Sequence, residues 1–407
     1  MSLYKTIQNT PEKVNSYLII VLIFFIPFST AIGSILSAII LSLWLIHGRF
    51  KDQYKSLKSN KVVIVSLMII VMHAIGLLWT SDLDWGLHML RKQWKFLMIP
   101  VFMIYIKKEH IEYYFYAFVL AMSLSELISY GIWFELIEPF KSATVHNPTP
   151  FVTHIVYNPF LAIAIYLISS KILFYKHRFN YKHWLYLLFL TTMTINMFIT
   201  GDRSGQVMLF LVVIILSLQY FGMKKITKSI TISTMTVVGI FYLAYSLSNI
   251  FHERVNLTVD SVLNYNHNKN SSVGKRITFA LNGLDVFSEN IIVGVGTGDL
   301  PSAMQEKHQL NTPEVAAPDN PHNMYVMWLV QFGLVGFLML ILLFYVQIKV
   351  AFLHNNQAMK RFGVALPLLF ILANFGESYL SLHATSLLFA VFSAIIYSDE
   401  AYKGVST

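Results

Sequence analysis

Two polar residues, His322 and Asn323, stand directly before the apolar run 324–348, where a long polar segment ends. A neutral imidazole has one ring nitrogen that can accept a proton, and an asparagine amide can orient an imidazole or a sugar hydroxyl. Gly333 and Gly336, inside the run, are expected to let a neighbouring helix approach closely. A lone histidine is more often structural, but this placement predicts proton-transfer chemistry at the boundary between water and lipid.

A short polar connection at 200–205, Thr-Gly-Asp-Arg-Ser-Gly, places Arg203 between two apolar runs. Its glycines permit a tight turn with positive φ. In one interpretation Arg203 reaches out to lipid headgroups from a simple turn. In the other, its guanidinium is held at the membrane surface to bind a phosphate through two parallel hydrogen bonds. The motif alone leaves both interpretations open.

The polar segment 248–321 contains a second arginine, Arg276, at the start of a stretch with weak helical periodicity at 277–288. Further along, the glycine cluster 294–298 resembles a dinucleotide-binding loop in its letters. It lacks the full spacing and the strand–turn–helix context of such a loop, so that function is excluded. We interpret the cluster as a flexible turn that lets the segment fold over the membrane.

Arg91 and Lys95 lie four residues apart, a spacing that places both side chains on one face of a helix. Like charges at this spacing repel by roughly 0.2–0.5 kcal/mol unless an anion lies between them. An anionic lipid headgroup and a pyrophosphate are both compatible with the pair. Glu377, near the end of the apolar run 363–380, is placed to pair with an arginine, because an unpaired carboxylate beside a membrane span is costly.

Composition defines the class of protein that must position these residues. The chain has 407 residues, of which 56% are hydrophobic and 13% charged, and its mean hydropathy is +0.58. A soluble domain of this size cannot bury so much apolar surface. The absence of cysteine excludes disulfides, thiolate metal sites and cysteine nucleophiles. Asp82 and Asp84 have the spacing of a metal-binding pair, but Trp85 and the amphipathic context favour an interfacial helix, so no metal site is predicted.

Apolar runs long enough for membrane-crossing helices predict an all-α, polytopic membrane protein with about twelve transmembrane helices. They are 17–29, 31–46, 62–79, 95–106, 112–137, 152–174, 184–200, 205–222, 228–247, 324–348, 363–380 and 382–397. The first two runs flank Pro27 and form either a hairpin or one long kinked helix. The fourth run is short and is expected to borrow length from the amphipathic stretch before it.

Orientation follows from the distribution of basic residues. With a cytoplasmic N-terminus, 20 of the 30 Lys and Arg residues fall on the cytoplasmic side, including Lys176 and Arg178. Cytoplasmic loops carry such an excess, so both termini are predicted inside, and the net charge of +9 reflects this bias rather than a nucleic-acid partner. We interpret residues 1–407 as a single membrane domain. Residues 248–321 are then a large outer loop subdomain between spans 9 and 10, inserted before the last three spans.

This layout resembles the O-antigen ligase and O-antigen polymerase superfamily of bacterial inner-membrane glycosyltransferases, and the ligases most of all. The motifs that carry the resemblance are Arg203-Ser204-Gly205 at the start of a mid-chain helix and His322-Asn323 followed by Gly333-Leu334-Val335-Gly336. Arg276, followed by the glycine turn at 294–296, matches the loop arginine of the family. In architecture the resemblance covers nearly the whole chain.

The resemblance implies a GT-C-like, multi-helix membrane fold and a reaction that needs neither metal nor cofactor. A polysaccharide would pass from an undecaprenyl diphosphate carrier to a sugar hydroxyl of lipid A core, with inversion at the anomeric carbon. Arg203 and Arg276 would bind the diphosphate leaving group, and His322 would be the general base.

Three further residues, Asn323, Arg91 and Lys95, are candidate substrate-binding residues. The resemblance implies an active site on the periplasmic face of a Gram-negative inner membrane. The expected partners are the lipid-linked glycan donor, the lipid A core acceptor and membrane lipids, without nucleic acid.

Alternatives on the same scaffold are an O-antigen or capsule polymerase and a protein O-oligosaccharyltransferase. Polymerases often show more arginines in two outer loops, whereas the segment 248–321 contains Arg254 and Arg276, which favours a ligase. A secondary transporter should show internal repeats and charges at the membrane midplane. The sequence has no such repeat, and its informative polar residues collect on one predicted face.

Overall fold

The structure is a computed structural model that describes residues 2–174 and 181–403. Within these residues the fold is all-α, with no strand. Lys176 and Arg178, two of the residues counted for orientation, lie outside the described residues. The α-helices are α1 Ser2–Phe25, α2 Thr30–His47, α3 Phe50–Leu57, α4 Lys61–Ile75, α5 Leu83–Lys92, α6 Trp94–Tyr105, α7 Ile111–Trp133, α8 His154–Leu173, α9 Tyr181–Ile199, α10 Arg203–Phe221, α11 Ile226–Leu247, α12 Asn249–Leu263, α13 Ser272–Glu289, α14 Leu300–Asn311, α15 Met324–Ala351, α16 Gln357–Ala373 and α17 His383–Lys403.

Each of the twelve apolar runs overlaps a helix, although the run 363–380 continues beyond the end of α16 at Ala373. Seven helical segments in the described part of the chain are long and apolar enough to cross a membrane, and two further apolar helices are shorter. This pattern confirms a polytopic membrane protein. Helix α6 has 12 residues, or about 18 Å at the usual rise of about 1.5 Å, short of a hydrocarbon core about 30 Å thick. It does not gain length from α5, because the two helices are separated at Gln93.

The first two runs form separate helices rather than one long kinked helix. Helix α1 ends at Phe25 and α2 begins at Thr30. The connection is a turn in which the amide of Ser29 donates to the carbonyl of Phe25 at 3.0 Å. Pro27 lies in this turn, where its missing N–H removes no helical hydrogen bond.

The chain divides into two compact units. Unit 1 comprises the described parts of Met1–Lys13, Ile39–Ile106 and Thr258–Thr407; unit 2 comprises Val14–Ala38 and Lys107–Leu257, again as far as described. In unit 1, α15 packs against α4, α13 and α16, and α17 packs against α6. In unit 2, α8 packs against α7, α9 and α10, and α10 packs against α11. That residues 1–407 form a single membrane domain stays a prediction.

The polar segment 248–321 is more regular than expected. It contains α12, α13 and α14, and the periodic stretch 277–288 falls within α13, which confirms that helix. Ser271 caps α13, its Oγ accepting the amide of Gly274 at 3.0 Å. At Gly283 a Cβ would lie 2.4 Å from Cγ1 of Val326, so α13 approaches the first turn of α15 very closely. Residues before His322 are thereby held against the helix that follows it.

Helix α15 is interrupted at Gly333, whose φ of 60° and ψ of −152° are not helical. The segment after α13 fills the interruption. The amide of Leu334 donates to the carbonyl of Ile291 at 2.8 Å, and the amide of Val295 donates to the carbonyl of Val330 at 2.9 Å. These bonds satisfy backbone groups that the broken helix would leave unpaired. They also attach the polar segment to the core of unit 1.

The glycines therefore act differently from the expectation. A Cβ on Gly333 would lie 2.5 Å from the carbonyl oxygen of Ile291, so its close neighbour is a non-helical segment rather than a helix. A Cβ on Gly336 would lie 2.2 Å from Cβ of Phe332 on its own helix. Gly294 has a φ of 67°, and a Cβ there would lie 2.4 Å from the backbone nitrogen of Phe332. The glycine cluster, predicted as a flexible turn, is packed against α15 at Gly294 and against residues 76–86 at Gly296 and Gly298.

Candidate functional site

His322 lies in the short connection between α14 and α15, one residue before the cap of α15. Its φ is +52°, a left-handed conformation that non-glycine residues adopt infrequently. Its amide donates to Oδ1 of Asn320 at 3.1 Å. At the next residue, Oδ1 of Asn323 caps α15 by accepting the amides of Tyr325 at 3.0 Å and Val326 at 3.2 Å. Asn323 thus has a local structural role, and its role in substrate binding stays a prediction.

The imidazole of His322 pairs with the carboxylate of Glu377. Nδ1 of His322 lies 2.6 Å from Oε2 of Glu377, although the residues are 55 positions apart. The carboxylate side chain is 2% exposed, whereas the imidazole is 39% exposed. The pair therefore has a buried acid behind a histidine that solvent or a substrate can reach.

Two neighbours complete the environment of this carboxylate. Oε1 of Glu377 accepts Nδ2–H of Asn320 at 3.0 Å and the amide of Ser378 at 2.9 Å. The hydroxyl of Ser378 donates to Oδ1 of Asn320 at 2.8 Å. Both carboxylate oxygens are hydrogen-bonded, as a buried acidic group requires.

Burial alone would raise the pKa of Glu377. The hydrogen bond and charge of His322, the amide of Ser378 and the charge of Arg276 outweigh burial and hold this pKa below its usual value. The carboxylate lies beyond the end of α16 at Ala373 and is ionised at neutral pH. The sequence placed Glu377 beside an arginine; in the structure its hydrogen-bonded partner is His322, and Arg276 contributes through its charge.

Helix α13 supplies two residues to this site. Arg276 lies in its second turn, and Phe279 lies three residues further along the helix. The ring of Phe279 stacks on the imidazole of His322, with centroids 6.2 Å apart and planes inclined by 25°. Arg276, on the same helix as Phe279, lies close enough to Glu377 for its charge to help lower the pKa of that carboxylate.

The basic residues at the junction of α5 and α6 lie near the same segments. Asp319, three residues before His322, is within electrostatic range of Lys92. Lys95 is 3% exposed; its Nζ donates to the carbonyl of Lys92 at 3.0 Å and lies 5.3 Å from the ring of Trp94. Lys92 therefore adds positive charge close to the connection that carries His322.

Arg91 and Lys95 do not share a continuous helix, so the predicted i, i+4 pairing is wrong. Arg91 lies in the last turn of α5, and its Nε donates to the carbonyl of Leu87 at 3.3 Å. Lys95 lies in the first turn of α6. Lys92, which the sequence did not single out, is the member of this group whose charge interacts with Asp319.

Arg203 belongs to unit 2, at the first position of α10. Oδ2 of Asp202 caps the helix by accepting the amide of Gly205 at 2.8 Å. A Cβ on Gly205 would lie 2.3 Å from Cβ of Asn158, so this glycine allows α10 to pack tightly against α8. A Cβ on Gly201 would lie 3.1 Å from Nη2 of Arg254.

Neither of these glycines has a positive φ, so the expected turn chemistry at 200–205 is wrong. Both are required by close approach instead. The connection is further held by the amide of Gly201, which donates to Oδ1 of Asn147 at 3.1 Å, and by Thr200, whose hydroxyl donates to Oδ1 of Asn158 at 2.8 Å. This network gives Arg203 a fixed backbone position.

Glu377, Asn320 and Phe279 are the site residues that the sequence did not identify as partners of His322. Asn320 could have been found, because the side chain of an asparagine often accepts a hydrogen bond from the backbone amide two residues later, here that of His322. Glu377 had only its unusual position beside an apolar run as a signal. Its pairing with His322 depends on tertiary structure.

Comparison with known protein families places these residues in context. A family model described as O-antigen ligase matches residues 187–341, a range that contains Arg203, Arg276 and His322. A comparison with curated proteins gives no match. The family match confirms, over residues 187–341, the resemblance to the O-antigen ligase and polymerase superfamily.

Proposed function

We propose that this protein is an O-antigen ligase, which transfers a polysaccharide from undecaprenyl diphosphate to a sugar hydroxyl of lipid A core. The observation that carries the proposal is that one O-antigen ligase match, at 187–341, spans two candidate diphosphate-binding arginines and the candidate base. The helices of membrane-crossing length support a donor and an acceptor that both reside in a lipid bilayer.

In the proposed reaction His322 removes a proton from the attacking hydroxyl. General-base catalysis of this kind typically contributes about 100- to 10,000-fold to the rate. The half-exposed imidazole supports this role, because the substrate must reach one ring nitrogen while the other is held. Attack opposite the leaving group inverts the anomeric carbon.

Arg203 and Arg276 bind the diphosphate as negative charge develops on it. A guanidinium can donate two parallel hydrogen bonds to phosphate oxygens and stays protonated at neutral pH. The reaction is metal-independent in this proposal, because the arginines supply the positive charge. Removal of one preorganised donor of this type typically costs about 100- to 1,000-fold in rate.

Asn323, Arg91 and Lys95 are proposed as additional substrate-binding residues. The burial of Lys95 supports its inclusion, since a buried ammonium is costly without an anionic neighbour, and its Nζ contacts the carbonyl of Lys92 and the ring of Trp94. Lys92 joins this group because it lies within electrostatic range of Asp319.

The proposed architecture has about twelve transmembrane helices in a GT-C-like arrangement within the inner membrane of a Gram-negative bacterium. Both termini face the cytoplasm, and residues 248–321 form a periplasmic subdomain that carries the active site. The three helices of this segment and its attachment to α15 support a structured rather than a passive outer loop.

The test is complementation of a Gram-negative strain that lacks its own ligase and makes the cognate carrier-linked glycan. Lipopolysaccharide ladders are compared for wild type, His322→Ala and Arg276→Ala at equal protein levels. His267→Ala is the matched control, because His267 is an exposed histidine in the same polar segment. Ladders in wild type and control that disappear in the other two variants support the proposal. A wild type that adds no glycan to lipid A core contradicts it and favours a polymerase or a protein O-oligosaccharyltransferase.

A further inference from the structure

We infer that Glu377 is a positioning residue, which holds His322 with the proton on Nδ1 and leaves Nε2 to accept the proton of the acceptor hydroxyl. This inference rests on the proposed function of His322 as the general base. It assigns a role to a residue outside the matched range 187–341. Asn320 and Ser378 contribute to this positioning, because both donate hydrogen bonds to the carboxylate of Glu377, which in turn holds the imidazole.

The two segments that carry the pair are joined independently of it. The amide of Met324, the first residue of α15, donates to the carbonyl of Asn374 at the end of α16 at 2.9 Å. The hydroxyl of Tyr325 donates to the carbonyl of Ile371 at 2.7 Å. These bonds hold the start of α15 against the end of α16. The contact between His322 and Glu377 therefore occurs in a scaffold that does not depend on it.

The direction of the hydrogen bond follows from the bonds around the carboxylate. Oε1 of Glu377 accepts two N–H donors, from Asn320 and Ser378, so an ionised acid is well stabilised there. An ionised carboxylate has only acceptor atoms. Nδ1 of His322, 2.6 Å from Oε2, must then be the protonated nitrogen. In a neutral imidazole the other nitrogen, Nε2, is an acceptor.

The proton-transfer step balances with these groups. The O–H bond of the acceptor sugar breaks, its proton binds Nε2 of His322, and the oxygen forms a bond to the anomeric carbon of the donor. The bond from that carbon to the diphosphate breaks, and its electron pair leaves with the diphosphate. The imidazolium produced lies against the carboxylate of Glu377, which stabilises its charge, and later releases the proton to water.

The backbone supports the same conclusion. His322 has a φ of +52°, and such conformations persist where the surrounding structure enforces them. Here Oδ1 of Asn320 holds the amide of His322 while its Nδ2 holds Glu377, so one side chain fixes both partners. The ring of Phe279 lies nearly parallel to the imidazole, with centroids 6.2 Å apart.

The experiment measures glycan transfer by the full-length protein in nanodiscs, using a carrier-linked glycan donor. Two acceptors are compared, lipid A core and a second molecule of the carrier-linked glycan. Wild type, Glu377→Gln, Glu377→Asp, His322→Ala and the double variant His322→Ala/Glu377→Gln are assayed over a range of pH. Glu306→Gln, on a residue exposed on α14, is the matched control.

Glu377→Gln preserves the size of the side chain but removes its charge. The amide can donate or accept a hydrogen bond, so it no longer favours the tautomer of His322 with the proton on Nδ1. We expect kcat to fall about 100- to 10,000-fold, the range for loss of a general base, with KM changed by less than threefold. Glu377→Asp should recover part of kcat.

The double variant separates positioning from a general structural role. If Glu377 acts through His322, adding Glu377→Gln to His322→Ala should lower kcat by less than threefold further. A loss that is equally large in both backgrounds overturns the inference, and so does a single Glu377→Gln variant within threefold of wild type.

Nitrogen NMR of protein labelled at histidine gives a readout that does not require activity. Comparison with His322→Ala identifies the His322 signals, which should show a protonated Nδ1 in wild type and a mixture of tautomers in Glu377→Gln. A wild type protonated on Nε2 overturns the inference even if transfer occurs. A wild type that uses only the second acceptor, or neither, contradicts the ligase proposal and leaves the tautomer measurement as the test of Glu377.

Discussion

The connections at 320–323 in unit 1 and 200–205 in unit 2 contain similar residue types but use them differently. In unit 2, Asp202 caps α10, the hydroxyl of Thr200 donates to Asn158 on α8, and Gly205 allows α10 to pack closely on α8. In unit 1, Asn320 and His322 bind a carboxylate 57 and 55 residues away. Helix capping and close packing fix the backbone of the connection in unit 2, whereas a buried carboxylate fixes the side chain of His322 in unit 1.

The largest expected effect on the rate of glycan transfer comes from changing His322, in the connection of unit 1. His322→Ala should lower the rate of glycan transfer about 100- to 10,000-fold, because the proton acceptor is lost. The measurement is initial transfer rate at saturating donor with protein level checked. His267→Ala should leave the rate unchanged, and a His322→Ala protein with more than a third of wild-type activity would exclude a catalytic role for His322.

The two arginines test whether both connections serve the same reaction. Arg203→Ala and Arg276→Ala should each lower the transfer rate about 100- to 1,000-fold, because each removes a guanidinium donor to the diphosphate. Arg203→Lys and Arg276→Lys retain the charge without the bidentate geometry and should recover only part of the rate. Loss in the Arg276 variants alone would restrict the proposed diphosphate site to unit 1.

Backbone substitutions compare the packing of the two units. Gly333→Ala places a Cβ 2.5 Å from a carbonyl oxygen at a positive φ, so it should lower thermal stability by an amount that corresponds to roughly 2–4 kcal/mol. Melting temperature in detergent is the measurement. An unchanged melting temperature would show that the segment 291–296 does not hold α15 in its broken conformation.

The corresponding change in unit 2 is Gly205→Ala, which places a Cβ 2.3 Å from Cβ of Asn158. We expect a loss of about 1–3 kcal/mol, since α10 must move away from α8. Gly239→Ala is the control, because nothing lies within 4 Å of the added Cβ on α11. Equal melting temperatures for the two variants would contradict the close packing of α10 on α8.

The smallest expected effect concerns pH and Glu377. Because its pKa is lower in the folded protein than the ordinary value of 4.5, the ionised carboxylate stabilises the fold above that pH. This contribution is lost as the pH falls through the lowered folded value. Wild type should therefore lose melting temperature more steeply than Glu377→Gln on acidification below pH 4.5, and parallel curves would contradict the lowered pKa.

Much of the architecture follows from local sequence. Each apolar run overlaps a helix, and the stretch at 277–288 lies in α13, because hydrophobic composition and periodicity act over neighbouring residues. The break between α5 and α6 at Gln93 was not predicted. Both sides of that break have residues compatible with a helix, so only packing against other elements determines where the chain turns.

Part of the candidate site could likewise be predicted from the sequence, and part could not. The sequence identified Arg203, Arg276 and His322 from residue type and spacing, and the family match encloses all three. It assigned the glycines of 200–205 to positive φ, whereas the structure requires them for close approach, which depends on the opposing helix rather than on the local chain.

The sequence by itself predicted an all-α membrane protein with a resemblance to the O-antigen ligase superfamily, and it determined the chemical types of the polar residues. Composition and short spacings carry that information. Only the tertiary structure decided that Glu377 lies behind His322 and that Gly333 breaks α15 to receive the segment 291–296. Both depend on contacts between residues far apart in the chain, whose buried polar groups must find partners that no local pattern specifies.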